Sequence, residues 1–267
     1  MILSNHFMSK LGTSISPEGR ASYTVEHEGS KLSVNDWIGR ELTLKFQHLI
    51  HCLGCNKKIK KSYGQGYCFG CLQTLARCDM CIMKPETCHY HKGTCREPEW
   101  GLAHCFKEHV VYLANTSGVK VGVTRRANTP HRWIDQGATQ ALPWLKTKDR
   151  KSAGFIEKTI SAQMNDKTNW RKMLSGSAGP LDLKALAEET EEFLPDGVEF
   201  DFCDEELIEI EYPVEAYPEK IKSIGLDKNP EIQKNLKGVK GQYLIFENEV
   251  FNWRKHQGYV VEVSVNT

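Results

Sequence analysis

Nine of the chain's ten cysteines fall between Cys52 and Cys105. A stretch this short, poor in long periodic elements, cannot bury a core of its own, so something other than apolar packing must hold it. The spacing points to metal. Cys52-x2-Cys55 is followed, after twelve residues, by Cys68-x2-Cys71. Each pair is a knuckle, a tight turn that aims two thiolates and several backbone N–H groups at one point. Two knuckles supply the four thiolates that tetrahedral zinc prefers, and Gly54, Gly66 and Gly70 suit the turns. A third pair, Cys78-x2-Cys81, forms the simplest second set with Cys88 and Cys95. Cys105, His89, His91, His104 and His109 compete for places in it; Cys105 can displace Cys88 or be a packed thiol. No open coordination position is required by these counts, so one or two zincs are expected in a structural role.

A disulfide framework is the competing use of so many cysteines. It belongs to small secreted chains, whereas this chain has 267 residues and begins Met-Ile-Leu-Ser-Asn-His, without a basic n-region or long apolar run. No window approaches the ~18 apolar residues of a membrane span. A reducing, cytoplasmic setting and no membrane partner are therefore expected. The net charge of +1 excludes a coat of basic charge, so any nucleic-acid surface must be local. One candidate is the loop between the first two knuckles, where Lys57, Lys58, Lys60 and Lys61 stand near Tyr63 and Tyr67. It can track phosphates and stack a base, or be a solvated lysine loop.

The rest of the chain reads as α+β. Residues 1–50 alternate loosely, with Tyr23, Val25, Leu42, Leu44 and Phe46 on strands and Asn35-Asp36 in a turn. Residues 51–108 are the Cys-rich region. From 109 to 175 the pattern changes. His109–Ala114 and Val119–Thr124 form a hairpin about Asn115–Gly118. Residues 130–141 look helical, and Ser152–Met164 is a second helix with Ser152 as its cap. Asp166–Lys172 mixes aromatic and basic residues, either as a nucleic-acid contact or as a helix start capped by Asp166 or Thr168. Ser175–Pro180 is a linker. In 181–267 an amphipathic helix, Leu181–Phe193, precedes a run from Glu188 to Glu211 that holds twelve acidic residues and no Lys or Arg. A solvated acidic face is the plain reading; a docking surface, or a mimic of nucleic acid that guards a basic centre, is the other. The tail alternates again and forms a β meander or half-barrel able to pair with the N-terminal strands. Terminal β modules, with one barrel as a possible form, thus flank a zinc region and a central α/β domain.

Within the centre, Val110-Val111-Tyr112, Lys120-Val121-Gly122, Arg132 and Glu157 follow in order. This succession resembles the GIY-YIG nuclease domain, which carries its two name motifs on a hairpin, an arginine on the next helix and a glutamate on a later one. Across nearly the whole chain, Cys78-Asp79-Met80-Cys81, Gly93-Thr94-Cys95-Arg96, Val121–Arg125, Arg132–Ala138 and Lys240–Ile245 look like a bacterial family of unknown function that joins a zinc-ribbon region to a GIY-YIG-like domain. The resemblance implies phosphodiester chemistry or binding on RNA or DNA. Tyr112 would orient or deprotonate water, Arg132 would neutralise phosphate charge, Glu157 would hold Mg²⁺, and Arg125 and Arg126 would bind flanking phosphates. The sequence departs from that pattern at Val110, where glycine is usual, and at Lys120, where the second tyrosine is usual. Lys120 can serve as a base, bind phosphate, or mark a scaffold that binds without cutting. A nucleic-acid-binding zinc protein is the first expectation. A Mg²⁺-dependent endonuclease and a zinc-stapled protein adaptor are the alternatives.

Overall fold

Period-2 alternation is strongest in Glu41–His51, where Leu42 and Leu44 turn inward and are fully buried. In the computed structural model, which describes residues 1–164, 169–176 and 178–266, this strand organises one of two compact units. The first unit comprises residues 1–73, 174–176 and 211–267. Its largest sheet runs in the order Ile2–Phe7, Tyr259–Val265, Glu41–His51, Glu231–Asn235, with the short strand Lys58–Ile59 also on Glu41–His51. The C-terminal strand thus pairs with the N-terminal part of the chain: Leu44 stands opposite Val263 and Leu42 opposite Val265. The tail meander is a separate four-stranded sheet of Lys222–Ile224, Glu249–Asn252, Tyr243–Ile245 and Gly238–Lys240. Gly12–Ile15, Ala21–His27 and Ser30–Ser33 make a three-stranded one. The sheets are open, and none closes into a barrel among the described residues. Asn35–Trp37, expected as a turn, is one turn of 3-10 helix.

The second unit comprises residues 74–173 and 177–210. His109–Asn115 is its central strand, and all seven residues are buried. Val119–Arg125 pairs with it in the expected hairpin register, Tyr112 opposite Gly122. Gln140–Thr147 lies on its other side. The expected helix over 130–141 is therefore corrected. It runs only from His131 to Asp135, because Gly137 takes φ +71 and ends it, and the chain then enters a buried strand. Pro143 argues against a central strand by sequence. It is accommodated at a bulge: Val111 pairs with Leu145 and Tyr112 with Pro143, leaving Trp144 as the extra residue.

The later helix, Arg150–Gln163, starts before Ser152. Its cap is Asp149, whose carboxylate accepts from the backbone N–H of Lys151 (2.8 Å) and Ser152 (3.0 Å). Such a cap contributes about 1 kcal/mol. Ala153, Ile156 and Ile160 recur at helical spacing and pack on Val111, Leu113 and Val121. Burial of each isoleucine contributes about 1.5–3 kcal/mol. The helix over 181–193 is observed as Leu183–Thr190, capped by Asp182, followed by a 3-10 turn. The acidic run then lays two short strands, Asp201–Phe202 and Ile208–Glu209, on Gln140–Thr147. Asp166 and Thr168 lie outside the described residues; the helix Trp170–Leu174 is preceded by Asn169, whose carboxamide oxygen accepts from the N–H of Arg171 at 3.0 Å. No helix among the described residues is long and apolar enough to cross a membrane.

Candidate functional site

In the first unit Cys52 ends the long strand Glu41–His51, and Cys68 leads into the short helix Phe69–Thr74. The two knuckles meet. One sulfur from each of Cys52, Cys55, Cys68 and Cys71 lies within 4.8 Å of all the others, and Cys55 and Cys68 are 3.9 Å apart, sulfur to sulfur. Backbone donors converge on the same sulfurs: Gly54 and Cys68 donate to the Cys52 sulfur at 3.3 and 3.1 Å, and Cys71 to the Cys68 sulfur at 3.3 Å. Burial opposes ionisation of Cys52, but the N–H groups of Cys68, Cys55 and Gly54 outweigh it and bring the thiol down to about 6. Soft thiolates steadied by N–H donors fit the tetrahedral chemistry of zinc, so this cluster could hold a structural zinc ion.

The second cysteine group belongs to the other unit. Cys81, Cys88, Cys95 and Cys105 line one small cavity, with Asp79 also in its wall. Cys78 is not in its wall. Asp79, Cys81 and His89 place one ligand atom each within 4.8 Å of one another, and Asp79 is held at 2.7 Å by Arg96. His91 lies near Lys151 at 3.5 Å, and His104 and His109 each face a backbone carbonyl through Nδ1, at 2.9 and 2.7 Å.

A polar cluster is built around Tyr112. Its ring is buried on the central strand and lies across its cross-strand partner Gly122, where a Cβ would stand 2.5 Å from the phenolic oxygen. Arg132 and Gln136 are one helical turn apart, so both reach the same point. The Tyr112 hydroxyl donates to Gln136 Oε1 at 2.7 Å, and the Arg132 guanidinium is close enough to act on the phenol. Burial, reinforced by the Glu157 carboxylate and opposed by Arg132, pushes Tyr112 up to about 12. Burial pushes the Arg150 guanidinium down; Cys105 and Glu157 oppose that shift and Arg132 adds to it. Three of the four expected catalytic residues, Tyr112, Arg132 and Glu157, are thus neighbours. Lys120 is half-buried opposite Ala114, two residues along its strand from Gly122, and its ammonium makes no ion pair among the described residues.

The remaining basic candidates belong to both units. Lys57, Lys58, Lys60 and Lys61 are all exposed in the first unit; Lys61 lies 5.3 Å over the Tyr63 ring, which meets Phe69 edge-on at 5.7 Å. In the second unit Arg125 is half-buried, and Arg126 pairs with Glu108 and with Glu205 of the acidic run. Lys148 and Lys184 likewise meet Glu199 and Glu206 at 2.9 and 2.6 Å.

Sequence reasoning passed over Gln136 and Arg150. The i, i+4 step from Arg132 to Gln136 was the available signal for the first; Arg150 had none, because its place depends on how the helix start meets the Cys-rich segment. No curated protein and no solved structure matches the chain. Residues 39–261 do match a family, and the chain belongs to it: the one described as "Protein of unknown function (DUF2797)".

Proposed function

We propose that this chain is a nucleic-acid-binding zinc protein whose central sheet, with the helices that follow each strand pair, serves as a GIY-YIG-like scaffold. The observation that carries the reading is the convergence of Tyr112, Arg132 and Glu157, from three elements, on one polar cluster in which the tyrosine is buried and the two charged side chains are half-buried. A guanidinium beside a phenol and a carboxylate suits recognition of a phosphodiester, which Arg132 would neutralise. Tyr63, Phe69 and the four lysines from Lys57 to Lys61 supply a second contact of the kind that single strands use, charge for phosphates and aromatic faces for bases. Zinc at Cys52, Cys55, Cys68 and Cys71 holds that loop, and the reading includes a second structural zinc between Cys78 and Cys105, in a reducing compartment. Binding of labelled structured RNA, duplex DNA and single strands, followed by anisotropy across a salt series, tests it. Affinity that falls steeply with salt and at least tenfold in Arg132→Ala supports it; no binding of any probe at low salt overturns it.

A Mg²⁺-dependent endonuclease is the second reading, favoured by the carboxylate of Glu157 in the same cluster. A metal held there would polarise the phosphate. The phenolic proton of Tyr112 is committed to Gln136 and its acidity is suppressed, which favours binding over attack. Cleavage of plasmid or hairpin RNA that requires Mg²⁺ and is lost in Glu157→Ala would establish the enzyme instead.

A further inference from the structure

We infer that the second zinc is held by Cys81, Cys88, Cys95 and Cys105, with Cys78 outside the set and Arg150 as a cation that offsets part of its charge. This rests on the reading that a second zinc is present. The four thiols line a small cavity of about 20 Å³, on the scale of a single small ion or water. Tyr90, Trp100 and Phe106 give the wall an aromatic side, and Asp79 also lines it. The sulfurs surround this chamber more widely than the first set; Zn–S distances of about 2.3 Å would draw them in.

The helix Pro98–His104 is built to bring Cys105 there. Gly101 faces the chamber, where a Cβ would stand 3.4 Å from the Cys95 sulfur and 3.3 Å from the Tyr90 ring, and Gly101 also accepts the Cys105 N–H at 2.7 Å. The alternative set of Asp79, Cys81 and His89 offers three ligands, each with hydrogen-bonded neighbours. The Asp79 carboxylate pairs with Arg96 at 2.7 Å and His89 Nδ1 meets Thr94 Oγ1 at 2.8 Å. Asp79 lines the same cavity, but these three alone leave a tetrahedral shell one ligand short.

Four thiolates around Zn²⁺ leave two negative charges, which a buried site must compensate. Arg150 offsets part of that charge. Its Nη2 donates to Ile82 O at 2.7 Å, its backbone N–H to Cys105 O at 2.8 Å, and its buried Nε has no hydrogen-bond partner among the described residues. The guanidinium lies within electrostatic reach of Cys105 and Cys81 on one side and of Glu157 and Arg132 on the other. Gly154, one helical turn on, approaches Pro85 so closely that a Cβ would stand 2.5 Å from its ring, so the helix carrying Glu157 is seated directly on the cysteine segment. Arg150 is a positioning residue between the metal shell and the polar cluster.

Zinc per chain, counted by elemental analysis of the full chain, tests this. Wild type should hold two; Cys105→Ser should hold one, while Cys78→Ser, Asp79→Asn and His89→Ala keep two. X-ray absorption of the wild-type chain should show four sulfurs at about 2.3 Å and no nitrogen or oxygen; this needs no variant to fold. Arg150→Gln should keep both ions but release one to a chelator about 10- to 100-fold faster, with partial rescue by Arg150→Lys. A single zinc in wild type, unchanged by Cys105→Ser, sinks the second-zinc reading itself. Two zincs with loss in Cys78→Ser, or a mixed sulfur and nitrogen shell, overturns this ligand set alone.

Discussion

The Tyr112 ring fills the space that a side chain at Gly122 would occupy: a Cβ there would lie 2.5 Å from both the ring's end carbon and the phenolic oxygen. The glycine is therefore a packing requirement of the tyrosine, whose hydroxyl is pinned by Gln136 and cannot swing aside without giving up a part-buried hydrogen bond. Gly122→Ala should destabilise the second unit by about 1–3 kcal/mol, the cost of overpacking a close-fitted core. Gly179→Ala, where a Cβ meets nothing within 4 Å, should change stability by less than about 0.5 kcal/mol. Chemical denaturation of the two variants beside wild type measures the difference. Equal midpoints would refute the tight fit.

Arg126, expected on sequence grounds to hold a phosphate, is instead paired with Glu205 and Glu108. The acidic run thus competes for the charge that a nucleic acid would use. Glu205→Gln should raise affinity about two- to tenfold at low salt and have little effect at high salt, since exposed charges are screened. Arg126→Ala should lower the slope of log K against log salt by about one. Identical salt plots for Glu205→Gln and wild type would show that the run guards nothing.

What could be read from the chain follows the range of the interaction. The hairpin of His109–Asn115 and Val119–Arg125 is local, and its alternation and turn residues suffice to place it. The first cysteine set is also local, because each CxxC fixes its own knuckle. The strand Gln140–Thr147 was hidden by Pro143, whose missing N–H is tolerated only because a bulge forms at Trp144. Apolar Trp133, Ile134, Ala138 and Ala141 continued a helical pattern across Gly137, and periodicity carries no information about the left-handed turn that stops it. Asp149 was passed over as a cap for Ser152 because both are good caps; the choice depends on the Arg150 N–H meeting Cys105. Gln136 and Arg150 matter through partners dozens of residues away, which no window shows.

Zinc removal should act on one segment of the first unit before it acts on the sheets. Between His51 and Phe69 the described backbone has a two-residue strand and two turns, and buries little besides Cys52 and Gly66. A strong chelator, or Cys52→Ser, should therefore open the exposed Lys57–Lys61 loop to trypsin, with cleavage there rising at least tenfold. Far-UV circular dichroism of the strands should change little. Resistance of that loop to trypsin after complete loss of metal would mean that the thiols pack without an ion.

His6 makes the first unit sensitive to mild acid. It is 1% exposed, its ring nitrogens have no hydrogen-bond partner among the described residues, and its ring lies 5.5 Å from His27 and 5.9 Å from Trp253. Burial first, and His27 second, lower it to about 4, against about 6.5 in the unfolded chain. The unfolded state therefore binds the extra proton between those two values, and stability falls as pH falls through that window. Above pH 7 both states are neutral and the group contributes no slope. The fall should reach roughly 3 kcal/mol once the pH is below both values. Replacing the ring by an apolar one, His6→Phe, removes the titration while keeping the volume. The variant's unfolding free energy should then lose less than wild type's between pH 7 and pH 4.5, as read by urea titration at each pH. Parallel pH profiles for the two proteins would show that some other group carries the acid sensitivity.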